Sequence, residues 1–572
     1  MTYRTEYPRP QLRRDSYENL NGIWYFTIDS GLSLPERGLF DYKNYDRQIQ
    51  VPFCPESLLS GIVYKDFMNA VAYQREFYIG KKTNSILRLH FGACDYETYV
   101  YVNRHPVGIH KGGYTSFSFE IQDYIRENSN NLLTVYVKDN NRSGRQPRGK
   151  QCPSYHSQVC DYTRTTGIWQ SVWLEWVDSV YIESLKITPC AYKETVGIDI
   201  SLNTWFEGGI LLQTGLDETT LTSFTEKAKG RCIHTEVLLK DCYLWTPETP
   251  VLYQLKISLQ KNGCTGDCIE SYFGMRDITF DGRSFMLNGK KTFLRLVLDQ
   301  GFYPKGIYTA ETEEELINDI LLSKAAGFNG ARLHQKVFEE RFLYHCDRLG
   351  YLVFGEFPDA GLTVDCNDNY LSFASQWQEA IKRDYSHPAV IGWCPLNETP
   401  VTRSKDFLSA VYQLTRQLDP YRPVIDTSGF THVVTDIYDV HDYEQDPKQF
   451  ARHMRMAGAK STWVNFPDQE TYEGQPYFVS EYGGIWWANK EDSSSWGYGN
   501  RPESIQEFIH RYESLTKAIL NNPNICGFCY TQLTDVEQEK NGLYTFDRKP
   551  KFDTGLLSAI NRSPAAMEKQ DA

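Results

Sequence analysis

The sequence predicts a multidomain protein in which a jelly-roll β-sandwich and an immunoglobulin-like β-sandwich precede a (β/α)8 TIM barrel. The chain has 572 residues, too many for one compact core. Up to about residue 274, short runs of alternating apolar and polar residues are separated by Gly, Pro and Asn, as in all-β domains. From about residue 280, apolar strand-like runs alternate with long amphipathic helices, as in parallel α/β folds. We therefore expect domains at residues 1–178, 179–277 and 278–572.

The first two domains are expected to be sandwiches of different kinds. In the first, strand-like runs at residues 21–26, 85–91 and 98–103 are spaced as in a jelly roll. Such a domain either binds sugar itself or supports the packing of another domain. In the second, about seven short strands would fit an immunoglobulin-like sandwich.

The third domain is expected to be a barrel of eight parallel strands that alternate with helices. The predicted strands are residues 293–299, 328–334, 351–356, 389–393, 424–426, 437–441, 477–481 and 525–531. The first predicted helix, residues 311–326, has acidic residues in its first turn, and Thr309 is its expected N-cap. In a TIM barrel, chemistry takes place at the carboxyl ends of the strands.

Composition narrows the class of protein. The net charge of −13 argues against nucleic acid and anionic membranes as partners. The polar N-terminal residues lack the apolar core of a secretory signal, and no uncharged run is long enough to cross a membrane. We therefore expect a cytoplasmic protein with reduced cysteines and no cofactor. A homo-oligomer stays open, because no stretch of sequence defines an interface.

Two strand-like runs of the barrel end in a glutamate. Residues 389–393 lead into Asn397 and Glu398, and residues 477–479 lead into Glu481. Two carboxyl groups at one mouth suggest glycoside hydrolysis, which needs one protonated and one ionised carboxyl group. We expect the apolar strand with Trp393 to raise the pKa of Glu398, the proton donor, while Arg332 keeps Glu481 ionised as the nucleophile. A retaining mechanism predicts carboxyl groups about 5–5.5 Å apart, against about 6.5–9.5 Å for inversion.

Other polar residues also follow predicted strands and should surround the same mouth. They are Asp299, Arg332, His334, Glu356, His441 and Tyr443. Arg332 either holds a catalytic glutamate ionised or packs as a structural residue. Each histidine either contacts a substrate hydroxyl or forms a hydrogen-bonded wall. No histidine spacing typical of metal sites accompanies them, so we expect no metal.

The chain resembles glycoside hydrolase family 2, the family of β-galactosidases, β-glucuronidases and β-mannosidases, along almost its whole length. The motifs that carry this resemblance are residues 20–24, 101–103, 112–117, 167–174, 273–276, 287–290, 393–398 and 480–483. The resemblance implies that Glu398 is the acid/base and Glu481 the nucleophile. It also implies that Asn397 contacts the sugar 2-hydroxyl and that Tyr443 hydrogen-bonds the nucleophile.

The sugar is less clearly indicated. The β-glucuronidase branch of the family binds the sugar carboxylate with an Asn-x-Lys motif, where this chain has Glu539, Lys540 and Asn541. This departure favours a neutral sugar, with β-galactosides the commonest substrates, and it makes Lys540 and Asn541 candidate substrate-binding residues. A β-glucuronide or β-galacturonide stays open, because Arg332, Lys336 or Lys540 could bind a carboxylate. A non-catalytic carbohydrate-binding protein and a metal-dependent hydrolase are further alternatives.

Overall fold

The structure is a computed structural model. It describes residues 3–81, 85–216, 219–363, 367–400, 402, 404–459, 462–466, 472–488 and 494–569. None of the helices within these residues is long and apolar enough to cross a membrane.

The first domain is a sandwich of a four-stranded and a six-stranded antiparallel sheet. The four-stranded sheet has the order β1-β12-β5-β9, the six-stranded sheet has the order β3-β2-β4-β10-β7-β8, and β6 pairs with β11. Side chains alternate between core and surface along strands such as β7, where every second residue is buried. The strands are β1 (Tyr17–Asn19), β2 (Gly22–Ile28), β3 (Arg47–Val51), β4 (Ala70–Ile79), β5 (Ile86–Phe91), β6 (Cys94–Asp95), β7 (Glu97–Val102), β8 (His105–Lys111), β9 (Phe117–Glu120), β10 (Ser129–Lys138), β11 (Gly167–Ile168) and β12 (Val172–Val177).

The second domain has fewer and longer strands than the sequence predicts. Its five described strands are β13 (Ile182–Cys190), β14 (Thr195–Leu216), β15 (Thr219–Leu238), β16 (Tyr253–Lys261) and β17 (Cys264–Phe273). The expectation of about seven short strands was wrong. The reason is that β14 and β15 continue as one long antiparallel pair across an irregularity between Ser201 and Phe206. A small sheet of β18 (Ile278–Asp281), β19 (Ser284–Leu287) and β20 (Lys290–Lys291) leads into the barrel.

The third domain contains a seven-stranded parallel sheet that curves around the largest apolar core of the protein. Its order is β24-β23-β22-β21-β27-β26-β25. The strands are β21 (Leu294–Asp299), β22 (Gly330–Leu333), β23 (Leu352–Glu356), β24 (Val390–Cys394), β25 (Tyr438–Asp442), β26 (Tyr477–Gly483) and β27 (Ile525–Thr531). The strand predicted at residues 424–426 is reduced to isolated parallel bridges, Trp393 with Val424 and Asn397 with Ser428. These bridges still fill the fifth position of the barrel, beside β24.

The α-helices are α1 (Leu34–Gly38), α2 (Glu313–Ala325), α3 (Glu340–Leu349), α4 (Asn367–Asp384), α5 (Lys405–Leu418), α6 (Pro447–Met456), α7 (Ile505–Leu520) and α8 (Thr554–Asn561). Helices α2 to α8 belong to the barrel domain, whereas α1 lies between β2 and β3 in the first domain. Short 3-10 helices lie at Pro10–Leu12, Tyr42–Asn44, Gln122–Tyr124, Ala191–Lys193 and Ala566–Lys569. The N-cap of α2 is Thr312 and not Thr309, whose hydroxyl donates to the carbonyl of Trp169 in the first domain. The predicted fold class, a jelly roll and an immunoglobulin-like sandwich before a TIM barrel, is confirmed.

Candidate active site

The carboxyl ends of the barrel strands bring most of the predicted residues into one cluster. Because neighbouring parallel strands end at the same rim, side chains from different strands meet there. The clustered residues are Arg332, His334, Glu356, Asn397, Glu398, His441, Tyr443 and Glu481.

Arg332 is the hub of this cluster. Its guanidinium is fully buried and donates to Oε1 of Glu356 at 2.6 Å and to Oε1 of Glu481 at 3.1 Å. It also donates to Oδ1 of Asn397 at 3.2 Å and to the carbonyl of Ser480 at 2.7 Å. A buried cation that is paired in this way fixes the positions of its carboxylate partners. Arg332 is therefore fully engaged within the protein.

Glu356 forms a second layer behind Arg332. Burial raises the pKa of Glu356, but the charges of Arg332 and His334 outweigh burial and lower it below its ordinary value. Its other oxygen lies 3.0 Å from Nδ1 of His334. Burial lowers the pKa of His334, which favours the neutral imidazole. Glu356 thus holds Arg332 and His334 in place.

Glu481 is held from two sides. Arg332 contacts Oε1, and the hydroxyl of Tyr443 donates to Oε2. The Tyr443 hydroxyl also lies 3.0 Å from Oγ1 of Thr531, and its ring stacks on Tyr498 with 3.4 Å between the ring centroids. An ion pair and a hydrogen bond together fix both carboxyl oxygens in position. The surroundings of Glu481 therefore suit a nucleophile.

Glu398 lies on the opposite side of His441 from Glu481. Its Oε1 is 2.8 Å from Nδ1 of His441, and its backbone is in the left-handed region at φ 50°. Such a conformation costs energy for a non-glycine residue and occurs preferentially at functional sites. The carboxyl side chain is 37% exposed, so a ligand in the mouth can reach it.

The predicted direction of the pKa shift of Glu398 was wrong. Burial raises the pKa, as expected, but the hydrogen bond and the charge of His441 outweigh burial and lower it to about 2. The indole of Trp393 contributes little, because its Nε1 donates to Asp419 and its ring packs against Trp377. The sequence could not reveal this, because the histidine arrives from a different strand.

The two glutamates are close to each other. One carboxyl oxygen of Glu398, one of Glu481 and a ring nitrogen of His441 all lie within 4.8 Å of one another. Oxygens this close agree better with the about 5–5.5 Å between the carboxyl groups of retaining glycosidases than with the about 6.5–9.5 Å of inverting ones. The same three groups are near enough to one another to hold a cation, as a metal-dependent hydrolase would require.

Asp299 does not join the cluster. Its Oδ1 accepts from the backbone N–H of Gly301, and its nearest charged neighbours are Asp319, Arg548 and Lys336. Burial and the charge of Asp319 raise its pKa to about 7. Along β21, Asp299 shares a face with Arg295, which reaches the layer of α8, so this strand end points away from the mouth. The prediction of a substrate contact by Asp299 was wrong for this reason.

The segment at residues 539–541 is divided between two environments. The Asn541 side chain is buried, donates to Oε1 of Glu539 and accepts from Gln532. Lys540, in contrast, acts electrostatically on Asp535 and Lys551. Asn541 therefore supports the wall of the mouth, and a substrate contact by Lys540 stays a prediction.

Sequence reasoning missed a contribution from the first domain. The segment between β10 and β11, residues 139–166, extends over the barrel. The backbone N–H groups of Arg148 and Gly149 donate to the carbonyls of Ala360 and Pro358, just after β23. The hydroxyl of Tyr162 donates to Oε2 of Glu539 at 2.5 Å. The length of this segment was the available signal, because structureless loops beyond about 12–15 residues are usually functional.

Lys150 is the cation that this segment brings to the mouth. Burial alone would lower the pKa of Lys150, but nearby acidic groups raise it above its ordinary value. These groups are Cys160, Glu398, Glu481 and Glu539. Among the residues that the structure describes, Lys150 forms no ion pair with a carboxylate. Glu539 is buried, which raises its pKa to about 7 against the opposing effects of Tyr162 and Lys150.

Comparison with known proteins agrees with this architecture. Residues 278–558 match the model described as "Glycosyl hydrolases family 2, TIM barrel domain", and residues 37–177 match its sugar binding domain. Residues 180–276 match the model described as "Glycosyl hydrolases family 2". The fold and the paired carboxyl groups define a glycoside hydrolase. The chain belongs to glycoside hydrolase family 2.

Individual relatives differ in the sugar that their names state. A beta-galactosidase of Thermoanaerobacterium thermosulfurigenes is 26% identical over 84% of this chain and 67% of its own length. A putative beta-glucuronidase of Formosa agariphila is 27% identical over 61% of this chain, which spans 43% of that relative. The solved structure of a beta-D-glucuronidase from Dictyoglomus thermophilum has a TM-score of 0.78 and 21% identity, and the match covers 98% of this chain and 99% of that one.

Proposed function

We propose that this protein is a retaining exo-β-glycosidase that acts through Glu398 and Glu481. The observation that carries the proposal is the arrangement of these two carboxyl groups, whose oxygens lie within 4.8 Å on either side of His441. Retention needs this short separation, because one carboxylate must attack the anomeric carbon directly.

The two glutamates have different roles. Glu481, held by Arg332 and Tyr443, attacks the anomeric carbon and forms a glycosyl-enzyme intermediate. Glu398 gives a proton to the leaving oxygen and then takes one from the water that releases the sugar. Asn397, which accepts from Arg332, contacts the neighbouring sugar hydroxyl in this proposal.

For the sugar, we propose a terminal β-galactoside. Glu539 and Asn541 occupy the segment where the β-glucuronidase branch carries its Asn-x-Lys motif, and they bind each other. The carboxyl group of Glu539 disfavours a uronate, because in its ionised form it would repel the sugar carboxylate. Two of the three cations considered for a uronate are also engaged elsewhere: Arg332 in the cluster, and Lys336 with the carbonyls of Gly301 and Tyr308.

A β-glucuronide or β-galacturonide is the second candidate, and Lys150 is the observation that favours it. Lys150 is near enough to Glu398 and Glu481 for their charges to act on its ammonium, which suits a sugar carboxylate as a point charge. The name of the Formosa agariphila relative agrees with this candidate.

A panel of 4-nitrophenyl β-glycosides distinguishes the two candidates. We expect the highest kcat/KM on the β-galactoside, with Lys150→Met reducing it less than about 10-fold. If only a glucuronide or galacturonide is hydrolysed, and Lys150→Met abolishes that activity, the galactoside proposal is wrong and Lys150 is the carboxylate ligand.

Two further measurements test the reaction itself. Proton NMR of the first product should show the β-anomer, since retention preserves the configuration, and release of the α-anomer would exclude the double-displacement mechanism. Glu398→Ala should lose activity and recover it with azide on a substrate with a good leaving group. Treatment with EDTA should leave the rate unchanged, whereas loss of activity would favour a metal-dependent hydrolase.

A further inference from the structure

His441 lies between the two catalytic glutamates and contacts both. Its Nδ1 is 2.8 Å from Oε1 of Glu398, and its Nε2 is 3.4 Å from Oε1 of Glu481. The imidazole is buried, and β25 has a register shift between Val440 and His441 that re-aims this side chain. Gly429 makes room for the ring, because a Cβ there would lie 2.1 Å from it.

The hydrogen bonds around His441 define where its protons must be. Oγ of Ser428 lies 2.7 Å from Oδ2 of Asp439 and 3.3 Å from Oγ of Ser480, so its one hydrogen goes to the closer and negatively charged acceptor, Asp439. Burial opposes ionisation of Asp439, but the hydrogen bond and the charge of His432 lower its pKa to about 2, so Asp439 can only accept. Nε2 of His441, 3.0 Å from the same Ser428 hydroxyl, must therefore carry a hydrogen and donate it.

This leaves one proton for the contact between Nδ1 and Glu398. The short distance requires a hydrogen between the two atoms, carried either by the imidazole or by the carboxyl group. The charged groups that face His441 are Glu398, Glu481 and Asp439, which favour its protonation, and Arg332, which opposes it. Burial lowers the pKa of His441, but these carboxylates outweigh burial and raise it.

We propose that His441 and Glu398 share one proton, and that His441 is the positioning residue that stores this proton for the acid/base. This inference rests on the proposed function of Glu398. It accounts for an acid/base that is ionised in the resting site, because the proton for the leaving group is held one hydrogen bond away.

The proton balance closes over one catalytic cycle. The proton on Nδ1 moves to Oε1 of Glu398, and Glu398 gives it to the glycosidic oxygen as the bond from this oxygen to the anomeric carbon breaks. The carboxylate of Glu481 forms the new bond to the anomeric carbon. Water then loses a proton to Glu398 as its oxygen displaces Glu481, and that proton returns to Nδ1 of His441.

Substrates with different leaving groups test this role. The 2,4-dinitrophenolate of a dinitrophenyl glycoside leaves without protonation. The methanol of a methyl glycoside of the same sugar leaves only after a full proton transfer to its oxygen. For His441→Gln, we expect kcat/KM on the methyl glycoside to fall about 100-fold near neutral pH, within the usual range for general acid catalysis. On the dinitrophenyl glycoside, we expect a loss of less than about 3-fold.

The pH profile gives a second, independent readout. In the wild type, the shared proton is retained until the pH rises through the raised pKa of His441. On the basic side of the profile, kcat/KM should therefore fall only at a pH above the ordinary pKa of imidazole. In His441→Gln, no imidazole stores the proton, so the basic limb should move to lower pH. His334→Gln is the matched control, because it also removes a buried imidazole from the cluster. It should lower kcat/KM by the same factor on both substrates and leave the basic limb of the pH profile where it is.

The outcomes separate this inference from the proposed function. Equal losses on both substrates in His441→Gln, with an unmoved basic limb, would overturn proton storage and leave a structural histidine. A wild-type protein that hydrolyses neither glycoside of any sugar would instead refute the glycosidase proposal itself.

Discussion

At the residue scale, the site depends on charge compensation around Arg332. Its guanidinium is fully buried and pairs with two carboxylates that are themselves buried, Glu356 and Glu481. A buried ion pair is weak evidence for added stability, but removing one partner leaves an uncompensated charge in the interior. The cluster should therefore be sensitive to the loss of this one cation.

We expect Arg332→Met to destabilise the barrel by about 3–5 kcal/mol and to lower kcat strongly, because the buried carboxylates of Glu356 and Glu481 would lose the cation that they share. Chemical denaturation followed by tryptophan fluorescence measures the first effect. Arg13→Met is the matched control, since Arg13 is 54% exposed and its nearest carboxylate oxygens are 3.7 Å away. Its effect should stay within about 0.5 kcal/mol. Equal behaviour of the two variants would contradict the hub role of Arg332.

At the element scale, the segment at residues 139–166 completes the mouth of the barrel. Gly149 has φ 55°, and a Cβ at this position would lie 2.3 Å from the carbonyl oxygen of Gln335. The chain can therefore approach the barrel rim this closely only with glycine. The next residue, Lys150, owes its place beside the catalytic pair to this contact.

We expect Gly149→Ala to push the segment away from the barrel and to lower kcat/KM at least about 10-fold, because small displacements of positioning groups are costly in catalysis. Gly61→Ala is the matched control in the same domain. Gly61 also has a positive φ, 77°, but a Cβ there would meet nothing within 4 Å. Steady-state kinetics on the preferred glycoside should show a loss in Gly149→Ala only. A similar loss in both variants would attribute the effect to backbone strain in general and not to the contact with Gln335.

At the scale of the whole molecule, the active site is shared between the barrel and the jelly roll. Family 2 membership and the three-domain order could be predicted from the sequence, because alternation, apolar runs and motifs are local signals. Glu398 and Glu481 were predicted as catalytic residues in the same way, since each follows an apolar strand, and their roles stay proposals. The boundaries at residues 178 and 277 stay proposals.

Contacts across elements could not be predicted in this way. The environment of Glu398 depends on His441 from a separate strand. His441 lowers the pKa of Glu398, whereas the sequence predicted a raised pKa. Lys150 and Tyr162 come from another domain, and neither alternation nor helical periodicity signals such a contact. Asp299 was misassigned because a strand-end position does not reveal on which face of the sheet a side chain lies.

The most direct test of the central claim is to trap the covalent intermediate. A 2,4-dinitrophenyl 2-deoxy-2-fluoro-β-glycoside of the preferred sugar should inactivate the enzyme, because the fluorine slows hydrolysis of the glycosyl-enzyme more than its formation. Peptide mass spectrometry should then locate one fluorosugar on Glu481, and Tyr443→Phe should slow the labelling without moving it. A label on any other residue, or turnover with no covalent adduct, would contradict the assignment of Glu481 as the nucleophile.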